Sequence, residues 1–294
     1  MKASLPFSII IAVLSALLLF PFSASALKNY PVPKYPVSGP QGGISMKVTL
    51  PDGFDLQKDT SPVVILMHGI FSSKDFAPMP KIASHLASKG YASIRFDFGG
   101  HGKSQGKKVN MTIAKELEEA MAVWNYAKGL PFASSIYVLG HSQGGVVASM
   151  LSGMLSEEGD DVPRGLILLA PGEVIKEATQ AGKFFGKAFD PKNPPEYIKC
   201  FNIYKLGRDY LTQTQELDIY GTSAPYKGPV KLIHGSKDTI VPLWCSEKYV
   251  ETYGEDRATL DIIEGEGHTL IKKTGEVCDA ISAFLDSVQS GKTK

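Results

Sequence analysis

The residues best suited to chemistry are a serine, an aspartate and a histidine, far apart in sequence but each beside glycine in a turn. Ser142 lies in Gly140-His141-Ser142-Gln143-Gly144-Gly145, directly after the apolar run 136–139 and directly before Val146-Val147-Ala148-Ser149-Met150. Strand, sharp turn and helix in that order are what a G-x-S-x-G nucleophile elbow requires. So tight a turn strains the serine backbone and brings its neighbours so close that a β-carbon at 140 or 144 would obstruct it. Ser142 then projects at a helix N-terminus, where the dipole and free N–H groups favour developing negative charge.

A serine hydroxyl is a poor nucleophile until an imidazole removes its proton, and a carboxylate must orient that imidazole. After an elbow of this kind the partners follow in the order serine, acid, histidine. Asp238, in His234-Gly235-Ser236-Lys237-Asp238-Thr239, and His268, in Glu264-Gly265-Glu266-Gly267-His268, supply that order. Both fall just past the carboxyl end of an expected strand, the edge where open α/β sheets bind ligands. Two N–H groups must receive the oxyanion. Gln143, after the nucleophile, is one expected donor, and Ile70, in Met67-His68-Gly69-Ile70-Phe71, is the other. Among the remaining histidines, His85 is expected on an exposed helix face and His101 in a glycine loop. His141 is expected to point away from the nucleophile, and His234 to be structural. No CxxC, HExxH or His/Cys cluster with metal-ligand spacing occurs, so no metal and no organic cofactor is expected.

The elements that must hold these groups alternate. Strands are expected over residues 44–50, 63–67, 92–96, 135–139, 165–170, 230–234 and 259–263, several of them apolar throughout, as strands buried on both faces must be. Helices are expected over 75–89, 111–128, 142–158, 243–253 and 274–288, with Thr112 as an N-cap. This is an α/β pattern, a mostly parallel central sheet flanked by helices. The rhythm breaks between Gly172 and Gly228, where prolines and aromatics crowd together without a clear strand signal, so residues 172–228 are expected to sit over the sheet as an insertion.

The chain has 294 residues, 43% hydrophobic and 21% charged, enough to bury a core without metal or disulfide staples. Its 31 Lys+Arg nearly cancel 30 Asp+Glu, leaving +1; the field of a nucleic-acid binder is missing, and no nucleic-acid partner is expected. Residues 1–26 carry a basic start, a short apolar middle and Ala24-Ser25-Ala26, the order of a secretory signal cut after Ala26. A secreted or periplasmic protein without stable membrane insertion is expected, with an uncleaved anchor as the alternative. Residues 27–43 form an extended lead-in, 44–171 and 229–294 the two parts of the core. Cys200, Cys245 and Cys278 are odd in number, so at least one thiol stays free or pairs between chains.

Together with Phe96-Asp97-Phe98-Gly99-Gly100-His101-Gly102-Lys103-Ser104, these motifs resemble the serine esterase branch of the α/β-hydrolase superfamily over most of residues 44–288. Closer still, the chain resembles bacterial cinnamoyl (feruloyl) esterases, which share the GHSQGG elbow and an insertion after Ala170-Pro171 with counterparts of Tyr210-Leu211 and Ile219-Tyr220. The resemblance implies an α/β-hydrolase fold with an inserted lid, and hydrolysis of carboxylic esters through an acyl-enzyme on Ser142, with His268 as base and Asp238 orienting it. It implies a small-molecule or polysaccharide-linked ester as substrate, with Tyr210 helping to hold a phenolic hydroxyl. The family's lid aspartate has no counterpart in residues 172–180, which offer only Glu173 and Glu177. Phe184, Phe185, Phe189, Tyr197, Phe201, Tyr204 and Tyr210 would suit a flat aromatic acyl group, or pack the insertion onto the sheet. A short-chain acyl esterase, a monoacylglycerol lipase, a serine peptidase and a non-catalytic binding protein are the alternatives. Ser142 excludes the dehalogenases and epoxide hydrolases, which place an aspartate at the elbow.

Overall fold

Segments that are apolar at every position become strands covered on both sides. In Val63-Val64-Ile65-Leu66-Met67, side chains alternate between two separate cores: Val63, Ile65 and Met67 enter one, Val64 and Leu66 the other. The computed structural model describes residues 29–159 and 161–291. The expected signal, 1–26, lies outside the described residues, as do residues 27 and 28 of the expected lead-in.

Among the described residues, eight strands form the central sheet: β1 (Asn29–Tyr30), β2 (Met46–Thr49), β3 (Ser61–Met67), β4 (Ala92–Phe96), β5 (Ala133–His141), β6 (Leu166–Leu169), β7 (Val230–Gly235) and β8 (Ala258–Ile263). Their spatial order is β1-β2-β4-β3-β5-β6-β7-β8. β2 runs antiparallel to both β1 and β4, and every other neighbouring pair is parallel. The helices are α1 (Met79–Ser88), α2 (Ile113–Lys128), α3 (Gln143–Glu158), α4 (Ile175–Gln180), α5 (Arg208–Glu216), α6 (Ile219–Ser223), α7 (Trp244–Tyr253) and α8 (Thr274–Gln289). α1 and α8 cover one face, while α2, α3 and α7 cover the other. This is the α/β-hydrolase fold.

Thr112 caps α2 as expected, its hydroxyl accepting from Lys115 N at 3.2 Å. α1 is shorter than expected. The residue before a proline is pushed out of the helical region, so Pro78 forbids a helix beginning at Asp75; Asp75 instead pairs with Lys47 at 2.7 Å. His85, expected to be exposed, is half-buried, with Nε2 3.1 Å from Ser282 Oγ on α8.

Residues 172–228 leave the sheet between β6 and β7, which pair directly. The expectation of no strand there is corrected. Lys183–Phe184 pairs with Lys187–Ala188, and Tyr197–Cys200 with Tyr204–Gly207, as two antiparallel hairpins. With only two to four residues per strand, the alternation is too short to register as a pattern.

Candidate active site

β5 ends at His141 and α3 starts at Gln143, so Ser142 is the whole turn, with φ 55° and ψ −123°. A left-handed φ at a non-glycine residue is strain that the surroundings must hold in place. A β-carbon on Gly140 would lie 2.1 Å from the Gly144 carbonyl oxygen, and one on Gly144 2.5 Å from those of Met67 and His68. Glycine is therefore obligatory at both positions, and the elbow is wedged against the end of β3.

The three expected side chains converge. His268 Nε2 is 2.9 Å from Ser142 Oγ, and His268 Nδ1 is 2.7 Å from Asp238 Oδ2. These contacts bridge residues 126 and 30 apart in sequence. Asp238 Oδ1 accepts from the backbone N–H groups of Ile240 (2.8 Å) and Val241 (2.9 Å), which locks the carboxylate plane. Burial by itself would raise this carboxyl, but hydrogen bonds from His234 and His268 and the N–H of Val241 outweigh it and hold Asp238 well below the usual carboxylate range. The group stays ionised and can stabilise a positive imidazole. This arrangement can move a proton from Ser142 Oγ to His268 Nε2 while Nδ1–H remains pinned.

Gln143 is the first residue of α3, where a backbone N–H has no intrahelical acceptor. Ile70 belongs to the loop that touches the elbow: a β-carbon on Gly69 would sit 3.0 Å from Ser142 Cβ. Among the described residues, neither N–H donates to a protein acceptor. His68 braces this loop, its Nδ1 donating to Gly69 O (2.8 Å) and its Nε2 accepting from Phe98 N (3.1 Å). Lys74 and Asp97 close it from behind as a buried ion pair.

Two further histidines brace the site. His141 Nε2 donates to the His268 carbonyl oxygen at 2.8 Å, and the two rings lie 5.0 Å apart. Burial, and then the neighbouring His268, push its imidazole down to about 3, so it serves as a neutral donor bracing the His268 loop. His234, expected to be structural, is buried, with its Nε2 3.3 Å from Asp238 Oδ2 and its Nδ1 2.8 Å from Ser246 Oγ. It supports the acid at the same carboxylate oxygen that meets His268 Nδ1.

Tyr210 requires a correction. It is 0% exposed, and its hydroxyl donates to Gln143 Oε1 at 2.7 Å, so it is committed to the protein rather than offered to a phenolic group. Gln143 Nε2 in turn donates to Glu116 Oε2 at 2.8 Å. Glu116 was absent from the expected site, although its helical spacing from Ile113, Leu117 and Ala120 places it on the buried face of α2. The aromatics of 172–228 divide. Phe184 and Tyr210 are buried, whereas Tyr204 stacks on Phe71 of the Ile70 loop at 4.7 Å, and Phe185 bridges Phe71 (6.1 Å) to exposed Phe201 (4.9 Å).

Fold and site together define an α/β hydrolase. A family model described as serine aminopeptidase, S33, matches residues 58–199, which include Ser142 and stop short of Asp238 and His268. The structure of Est1E from Butyrivibrio proteoclasticus with bound ferulic acid superimposes with a TM-score of 0.78 at 28% identity, covering 87% of this chain and 97% of that one. The chain thus resembles the bacterial feruloyl esterases. It is also similar to the lysophosphatidylserine lipase ABHD12 of Danio rerio, with 23% identity over 78% of this chain and 59% of the relative. The human mitochondrial palmitoyl-protein thioesterase ABHD10 is 24% identical over 63% of this chain and 60% of its own length. The chain spans about three fifths of the length of these curated relatives. Among the described residues, no helix is long and apolar enough to cross a membrane.

Proposed function

We propose that this chain hydrolyses carboxylic esters through an acyl-enzyme on Ser142, with hydroxycinnamoyl esters as its substrate class. The observation that carries the reading is the contact line from Ser142 Oγ through both nitrogens of His268 to the buried Asp238 carboxylate. As the Oγ–carbon bond forms, the serine proton passes to His268 Nε2, and the N–H groups of Gln143 and Ile70 receive the oxyanion. Collapse breaks the bond to the alcohol oxygen, which takes the proton from Nε2. Water then repeats both steps and releases the acid. Asp238 accepts from Nδ1 throughout and fixes the tautomer.

An aromatic acyl group is supported by the likeness to a ferulate-bound esterase and by Phe71, Phe185 and Tyr204 beside the Ile70 loop. The names of the lipase and thioesterase relatives favour a long acyl chain as the second reading. Matched ferulate, acetate, butyrate and long-chain esters, with a long-chain thioester, separate the two. The highest kcat/KM is expected on ferulate; preference for long chains or the thioester moves the assignment to the second reading. Ser142→Ala is expected to lose about six orders of magnitude of turnover, and near-normal rates in it would remove the serine mechanism. Residues 1–26 support a secreted or periplasmic location, tested by N-terminal sequencing of the mature protein, which is expected to begin at Leu27.

A further inference from the structure

The proposed mechanism uses the backbone N–H of Gln143 and leaves its side chain without a task. That side chain is held at both ends by groups from different parts of the fold. Nε2 donates to Glu116 on α2, 27 residues away, and Oε1 accepts from Tyr210 on α5, 67 residues away. Glu116 and Gln143 are each 1% exposed and Tyr210 is fully covered. A buried amide is tolerated when its polar atoms are paired, and here it cannot rotate without leaving one of them dry. Ser142 holds a strained φ of 55°; the carbonyl of the peptide joining it to Gln143 accepts from the N–H groups of Gly145 (2.8 Å), Val146 (3.3 Å) and Gly172 (3.0 Å), and the clamped Gln143 side chain holds the same peptide from its other end. Rotation of that peptide would swing the Gln143 N–H away from the oxyanion.

We propose that Glu116 and Tyr210 are positioning residues for the oxyanion donor at Gln143, and that α5 of the insertion thereby supports the reacting centre from behind. The inference rests on the ester-hydrolysis reading above. Burial, reinforced by the nearby Glu119 carboxyl, pushes the Glu116 carboxyl well above the usual range, against the opposing hydrogen bond from Gln143. Glutamine is a close replacement in shape and keeps an oxygen that can accept from Gln143 Nε2.

The test measures kcat and KM on an aryl ester, and the inhibition constant of a trifluoromethyl ketone whose serine adduct carries an oxyanion. It uses Glu116→Leu, Tyr210→Phe, their combination and Glu116→Gln. Glu116→Leu and Tyr210→Phe are each expected to lower kcat about 10- to 100-fold with KM within about twofold, and to weaken the ketone in proportion. The double variant is expected to be no worse than the poorer single, because both act through one amide. Glu116→Gln keeps an accepting oxygen and is expected to recover kcat to within about threefold. Wild-type kcat in Tyr210→Phe, or Glu116→Gln as impaired as Glu116→Leu, overturns the proposal. Tyr210→Phe removes one oxygen and keeps the ring, so it remains informative even where Glu116→Leu does not fold. Ser142→Ala in the same assay separates the two levels. Near-normal turnover in it removes the esterase reading itself, whereas its full loss alongside a wild-type Tyr210→Phe removes this inference alone.

Discussion

Asp238→Asn changes one atom, and the surroundings dictate which way the new amide must face. Asp238 Oδ1 accepts from two backbone N–H groups, those of Ile240 and Val241. The amide NH2 cannot take that place without setting donor against donor twice, so the asparagine oxygen stays there and the NH2 replaces Oδ2. It then faces His268 Nδ1, 2.7 Å from the oxygen it replaces, and donates to it; His234 Nε2, 3.3 Å from the same place, keeps the Val241 carbonyl oxygen as its acceptor at 3.0 Å. An imidazole that accepts at Nδ1 carries its proton on Nε2, the atom that must receive the Ser142 proton. The base is present in the wrong tautomer. By the effect of such a substitution in other Ser-His-Asp enzymes, kcat is expected to fall about 10⁴-fold, or roughly 5.4 kcal/mol of barrier.

The fold is expected to survive, because the two bonds at Oδ1 persist. Asp238→Ala removes them as well. Ile240 is 47% exposed, so water can serve its N–H, whereas Val241 is 2% exposed. One N–H left unpaired there costs about 1–3 kcal/mol. Steady-state kinetics on an aryl ester and urea midpoints give both quantities. Turnover in Asp238→Asn within tenfold of wild type would refute the tautomer reasoning. Equal midpoints for the asparagine and alanine variants would refute the role given to Oδ1.

Gly144→Ala places a methyl 2.5 Å from two carbonyl oxygens at the end of β3, and overpacking of this kind is expected to cost about 3 kcal/mol or more; an unchanged melting temperature would contradict it. His141→Leu removes the donor that braces the His268 carbonyl, with an expected loss of about 1–2 kcal/mol in urea unfolding and lower kcat at constant KM. Normal turnover in that variant would show that the brace is dispensable. Burial drives the Glu119 carboxyl up to about 7, against the hydrogen bond it accepts from Gly99 N. The folded state therefore holds a proton that the unfolded chain releases near pH 4.5. This group's stabilisation is full below that value and is lost as pH rises through 7, at about 1.4 kcal/mol per pH unit. Glu119→Gln should gain on wild type between pH 4.5 and 8 in urea midpoints, and a constant difference would show that Glu119 titrates normally.

The seven strands expected from the sequence all appear; those covered on both faces, such as β3 and β6, are apolar at nearly every position, a property written locally in the chain, whereas β2 and β8 show through short apolar alternation with exposed positions at Lys47 and Ile262. The elbow at 140–145 is legible for a similar reason: close approach demands Gly140 and Gly144, and nothing larger fits. Asp238 and His268 are legible through their order and their places after strands. Side-chain direction is another matter. That His141 turns toward His268, 127 residues away, depends on how β5 meets the loop after β8. Tyr210 was expected at the substrate and instead holds Gln143, because α5 lands on the back of the elbow. Glu116 and the hairpins of 172–228 were hidden likewise: one buried carboxyl on a helix, and strands of two to four residues, leave almost no periodic trace. Backbone sterics and the apolar pattern act over neighbouring residues, so the chain alone determined the sheet except its two-residue edge strand β1, the elbow and the candidate triad. Hydrogen bonds between residues tens to hundreds apart exist only once the layers have packed, so only the tertiary structure decided which polar groups brace that triad.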